Sequence, residues 1–262
     1  YLYKKSGKNV YLYGQKNQSL GVFHYNLDTK EASFFDEDRN ISDIFIWKEN
    51  LIYLINKSLY ILSKGKLSEF EVISSKVEIT KIIKQVGQRI YFSGYDLEEY
   101  KTNDYVFDLE NSTLTNYLNE EGQNLNIYDA VAGWDSELFL ATSTGLYRED
   151  PNENSVIRID HCKDESVTTK VYKLLMKEDY LYYLCGENLY FYDGDTVVKV
   201  SLPNDYVSGF TLAKGPFPYF GSTSNGLVAF NAYDSTSFSK LGQRRIWHLY
   251  TQPDGFPMTW TE

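Results

Sequence analysis

Short apolar runs separated by polar turns fill the chain from end to end, and they recur in pairs. The paired block reads YLYKKSGKNVYLYG over 1–14 and DIFIWKENLIYLIN over 43–56. It returns as KIIKQVGQRIYFSG over 81–94, DAVAGWDSELFLAT over 129–142 and YKLLMKEDYLYYLC over 172–185. Two further copies are GFTLAKGPFPYFGS over 209–222 and HLYTQPDGFPMTWT over 248–261. Each is an apolar strand, a polar turn and a stronger apolar strand, which predicts a hairpin. A third strand follows the first six hairpins: GVFHYN at 21, SLYILS at 58, DYVFDL at 104, GLYRED at 145, NLYFYD at 188 and GLVAFN at 226. Turns rich in Asp, Asn, Gly, Thr and Lys come next, such as 193–196 (DGDT), and then a fourth strand, such as Lys66 onward through Ile73 or Thr196 to Leu202.

No stretch sustains the spacing of an amphipathic helix. Hairpins starting at 1, 43, 81, 129, 172, 209 and 248 give a repeat of 37–48 residues, in or near the range for four-stranded propeller blades. The expectation is an all-β chain, a seven-bladed β-propeller with six complete blades and the first hairpin of a seventh. A six-bladed ring with an appended hairpin is the alternative closure. The whole of 1–262 reads as one propeller domain and as a fragment of a longer chain, because an open sheet edge would otherwise invite aggregation.

Part of the repeat resembles a known family. Residues 126–150 (NIYDAVAGWDSELFLATSTGLYRED), with Asp129, Asp135, the strand 138–142 and the Gly145-Leu146-Tyr147 turn, are similar to the regulator-propeller repeat. So are 220–231 (FGSTSNGLVAFN) and 246–260 (IWHLYTQPDGFPMTW). Phe139 and Met258 stand where that repeat carries a Trp in its second strand. The resemblance implies the extracytoplasmic sensor propeller of a hybrid two-component regulator, periplasmic or at the cell surface, with further blades, a membrane span and a kinase in the parent chain. A homodimer through that parent chain is a further candidate partner.

Composition narrows the function. Net charge is −10, with no basic stripe to offset it, so a nucleic-acid partner is not expected. No apolar run reaches the length of a membrane span. The serine-nucleophile elbow G-x-S-x-G, phosphate-binding glycine loops and calcium-loop spacings are all missing. His24, His161 and His248 fall in separate segments, so no metal, no cofactor and no catalytic residue is assigned. Cys162 and Cys185 could pair, but one loop thiol and one core thiol is the expectation.

A non-catalytic recognition or sensing propeller is therefore expected, with a protein-interaction scaffold and a glycan-active hydrolase or lyase as alternatives. Its small-molecule or glycan ligand, or partner protein, would meet the face formed by the turns between second and third strands. There, 94–104 is the longest excursion and offers Tyr95, Asp96 and Tyr100. Arg244, Arg245 and Trp247, at the entry to the last inner strand, would suit a carboxylate or a sugar ring.

Overall fold

The computed structural model describes the backbone of 2–16, 18–36, 40–48, 50–63, 66–119, 121–150, 155–160, 170–177, 180–186, 188–200, 207–211, 219–222, 226–230, 238–240, 246–251 and 257–261. Within those stretches side chains are described from 4 to 199, except at 36, 136, 160 and 177.

Seven antiparallel sheets follow one another along the chain among the described residues. The first comprises β1 (Leu2–Ser6), β2 (Asn9–Lys16), β3 (Ser19–Asn26) and β4 (Ala32–Asp36). Next come β5 (Ile41–Trp47), β6 (Asn50–Ile55), β7 (Ser58–Ser63) and β8 (Lys66–Glu69). A one-turn helix, α1 (Glu71–Ser74), leads to the third sheet of β9 (Val77–Val86), β10 (Arg89–Asp96), β11 (Thr102–Asp108) and β12 (Thr113–Thr115). The fourth holds β13 (Ile127–Ala132), β14 (Leu138–Thr142), β15 (Gly145–Asp150) and β16 (Ser155–Asp160). The fifth holds β17 (Val171–Lys177), β18 (Tyr180–Cys185), β19 (Asn188–Tyr192) and β20 (Val197–Val200). The sixth holds β21 (Val207–Thr211), β22 (Tyr219–Ser222), β23 (Gly226–Phe230) and β24 (Phe238–Lys240), and β25 (Ile246–Thr251) pairs with β26 (Pro257–Thr261). Strands pair strictly in chain order, which is the up-and-down blade.

Two compact units emerge, 1–116 and 117–262. In the first, β1 lies beside β5; in the second, β13 lies beside β17 and β21 beside β25. The first strand of each sheet is thus the inner one. Within the first unit the second sheet is covered on both faces, which explains why β6 is apolar from Leu51 to Ile55. Along β6, Leu51, Tyr53 and Ile55 pack with Val22, Tyr11 and Tyr13 of the first sheet. Ile52 and Leu54, one step out of phase, pack with Ile90, Phe92 and Phe107 of the third. In the second unit, Phe139 and Ala141 meet Leu181, Tyr183 and Cys185 in the same way.

Two expectations change. The fourth strand of the second sheet stops at Glu69, and Val72 and Ile73 enter α1, where Ile73 is buried in the core shared by the second and third sheets. The excursion at 94–104 is mostly strand, because β10 runs on to Asp96 and β11 resumes at Thr102.

Candidate functional site

The hairpin tip between β10 and β11 is built by Asp96. Its main chain closes the turn: Asp96 N–H donates to Lys101 O at 2.8 Å, and Tyr100 N–H donates to Asp96 O at 3.0 Å. Oδ1 accepts the amides of Glu98 at 2.8 Å and Glu99 at 2.7 Å, an Asx turn. Oδ2 accepts the hydroxyl of Tyr105 at 2.7 Å. The Glu99 amide, followed by the Tyr105 hydroxyl, holds the Asp96 carboxyl below its ordinary range. Burial, reinforced by that carboxylate, pushes Tyr105 up to about 12.

Asp96 is therefore occupied in fixing the turn, and what the turn presents outward is Tyr100. That ring is 76% exposed, on a backbone with φ of 56° that bulky residues seldom adopt. Tyr95 is half-buried in the ladder, opposite Thr102 and Glu78. Arg244 and Arg245 lie outside the described residues, and of Trp247 only the backbone is described. Tyr95, Asp96 and Tyr100 belong to the first unit and the other three to the second.

A second feature escaped the sequence reading. Every inner strand after the first carries a bulge one residue past an Ile or Val. Pairing skips Ser42 after Ile41, Thr80 after Ile79, Tyr128 after Ile127, Tyr172 after Val171, Ser208 after Val207 and Trp247 after Ile246. A bulge sets two residues against one and turns the extra side chain off the ladder. Ile41, Ile79, Ile127 and Val171 are accordingly buried, whereas Ser42, Thr80, Tyr128 and Tyr172 are exposed. The signal was available as the recurring Ile/Val-x-(Asp, Lys, Gly or His) that opens each block.

Two adjacent bulges of the second unit, in β13 and β17, carry tyrosines. Tyr128 and Tyr172, 40% and 43% exposed, lie together with ring centroids 5.7 Å apart and planes tilted by 39°. Asp129, only 3% exposed, holds their strands in register. Its Oδ1 accepts the Ala130 amide at 2.9 Å, and its Oδ2 accepts the Leu174 amide of the next sheet at 3.1 Å and faces Lys173 Nζ at 3.4 Å. The turns between second and third strands are tied to this same end, since Ser143 N–H donates to Asn126 O and Gly186 N–H to Lys170 O.

Cys185 is disulfide-bonded, which overturns the expectation of a core thiol. Its sulfur sits among Val171, Leu181 and Tyr183 in a pocket that suits a thiol or a disulfide equally, so apolar surroundings could not discriminate. Cys162, with His161, lies outside the described residues. Among the described residues, no three His, Cys, Asp or Glu side chains gather as a metal site, and no helix is long and apolar enough to cross a membrane.

No family model matches the sequence, and no curated protein matches it. Solved structures do. The extracellular domain of the hybrid two-component system BT4673 from B. thetaiotaomicron superposes over 99% of this chain, with a TM-score of 0.63 and 14% identity. That of BT3049 from the same organism superposes over 99%, with a TM-score of 0.52 and 11% identity. The β-propeller domain of the Trilobed protease from Pyrococcus furiosus, described as having an open velcro topology, also superposes over 99%, at 0.52 and 12%. The fold is a β-propeller. This chain spans 36% and 38% of the two Bacteroides domains and 96% of the protease propeller. The propeller expected from the repeat, and its similarity to the sensor type, are borne out.

Proposed function

We propose that this propeller is a non-catalytic recognition module, the extracytoplasmic sensor part of a bacterial two-component-type signalling protein. The observation that carries the reading is the superposition of 99% of the chain on extracellular domains of such systems. The disulfide at Cys185 supports it, since such bonds persist in oxidising compartments. So does the employment of the carboxylates. Asp96, Asp108, Asp129 and Asp193 each accept backbone amides and serve the turns and strands. A ligand bound at the turn face would act by favouring one of two arrangements of the propeller against its neighbouring domain or its twin, in proportion to its difference in affinity for them. Tyr95 and Tyr100, with Asp96 holding Tyr100 out, are the proposed contacts of the first unit, and Arg244, Arg245 and Trp247 those of the second, each set taken by itself. The exposed ring of Tyr100 favours a second reading as a protein-interaction scaffold, because large rigid aromatics serve as interface anchors.

The test is the parent reading frame beyond Glu262, combined with protease treatment of intact cells producing it. A membrane span and a histidine kinase downstream, with the propeller cleaved from outside, are expected. A parent without a transmitter domain, or a propeller cleaved only after lysis, would overturn the sensor reading.

A further inference from the structure

We infer that the bulged positions of the inner strands in the second unit form a stacking site, with Tyr128 and Tyr172 as its contact residues, for a ligand that presents a flat apolar ring face. This deepens the recognition reading and rests on it.

Three observations converge. The bulge near the start of β13 and of β17 puts one side chain outside the packed ladder, while the residue before it remains in the core. Ser and Thr stand at three of the bulged positions, Ser42 and Thr80 in the first unit and Ser208 in the second, whereas the second unit also carries Tyr128, Tyr172 and, at the same register in β25, Trp247. Exposed large aromatics at a position that small polar residues fill equally well are not required by the fold. The third observation is preorganisation. Asp129 follows Tyr128 directly, Lys173 follows Tyr172, and the Asp129 carboxylate joins the two strands through Leu174 N–H and Lys173 Nζ. The two rings are thereby held in contact before any ligand arrives, which lowers the ordering cost of binding. Tyrosine contributes large contact area with few rotatable bonds. Centroids 5.7 Å apart with planes tilted by 39° put the two rings in contact, and at 40% and 43% exposure they keep surface open for one six-membered ring.

A flat apolar face belongs to an aromatic ring or to the C–H face of a pyranose, and the two sources are separable by titration. Protein carrying ring-labelled tyrosine is titrated with indole and, separately, with cellobiose, and Tyr signals are followed by NMR. Signals are assigned from Tyr128→Phe and Tyr172→Phe, which retain the rings. Tyr25, 39% exposed on β3, is the control. Saturable shifts of the Tyr128 and Tyr172 signals by at least one probe are expected, with Tyr25 unmoved. Tyr128→Ala should weaken that probe's binding, read at Tyr172, on the order of tenfold. Indole alone would assign an aromatic ligand and cellobiose alone a pyranose. No shift with either probe, equal shifts at Tyr25, or binding unchanged in Tyr128→Ala would overturn the site. Those outcomes leave the sensor reading to the topology test above, which does not depend on Tyr128 or Tyr172.

Discussion

Asp129 joins two inner strands, whereas among the described residues Asp43, its counterpart in the second sheet, bonds within its own strand. Both occupy the position after the bulge. Asp43 Oδ1 accepts the Ile44 amide at 2.8 Å, a contact within one strand. Asp129 repeats that contact with Ala130 and adds the Leu174 amide of the neighbouring sheet, from a site that is only 3% exposed. Asp129→Ala leaves two buried amides without a charged acceptor. Hydrogen bonds to charged groups contribute about 1.5–3 kcal/mol each, and relief of the buried carboxylate's desolvation offsets part of the loss. The ion pair with Lys173 adds little, because the lysine is half exposed. The expected destabilisation is about 2–4 kcal/mol for Asp129→Ala and about 0.5–1.5 kcal/mol for Asp43→Ala. For chains of this size that places the Tm of Asp129→Ala about 5–15 °C below the wild type. Asp129→Asn keeps one acceptor oxygen and should fall between. The assay is thermal unfolding followed by far- and near-ultraviolet circular dichroism on all three variants in parallel. If Asp129→Ala is no more destabilising than Asp43→Ala, the cross-strand amide carries no weight, and the idea that Asp129 positions Tyr128 and Tyr172 fails with it.

Three more outcomes are expected. Burial raises the Asp108 carboxyl, but the Gln88 side chain, the Asn111 and Glu110 amides and Arg89 together hold it below its ordinary range. A depressed folded pKa gives stability that is present above the unfolded value near ~4 and is lost as pH falls through the folded one, so Asp108→Asn should flatten the acid limb of a pH–stability curve while wild type declines. Thiol titration of the unfolded, unreduced chain should detect no free thiol, and two after reduction; free thiol before reduction would contradict the bond at Cys185. At Gly94, a Cβ would collide with Val77 Cγ1 and press on Glu78 O at 3.3 Å, so Gly94→Ala should lower stability by about 1–3 kcal/mol in urea unfolding, and a neutral result would show that β9 yields there.

The blades were most legible where both faces of a sheet are buried, as at the second sheet. An apolar residue at every step of 51–55 or 181–185 has few resting places other than a strand enclosed between two sheets, and seven such hairpins at one period leave a propeller as the economical arrangement. Turn chemistry was equally direct: Asp193 caps Asp195 and Thr196 where the DGDT string predicts it. The short α1 was hidden because Val72 and Ile73 are β-branched and follow closely on a strand, and only packing against the core decides for a helical turn. Asp96 illustrates a different limit. Sequence marks it as polar in a loop, but the three hydrogen bonds that make it a structural clamp come from residues two, three and nine positions on, and the last of these is set by the fold.

The bulged positions explain why the candidate surface was harder to read than the fold. A strand's period of two assigns each residue to one face or the other, so Tyr128 and Tyr172 look like ordinary members of aromatic strands. A bulge suspends that assignment for one residue without leaving a Gly or Pro to mark it, and what identifies it is the comparison across blades. Six inner strands place an Ile or Val, then a variable residue, then a residue back in the ladder. The buried position is constrained by the core and the one after it by the pairing, so the residue between them is the position on the inner strands that can change chemistry at little expense to the fold. It is Ser or Thr at 42, 80 and 208, and aromatic at 128, 172 and 247. A repeat scaffold that varies one bulged position from blade to blade can acquire a binding surface without altering its core, and the aromatic choices fall in one unit, where Asp129 joins the strands that bring two of them into contact.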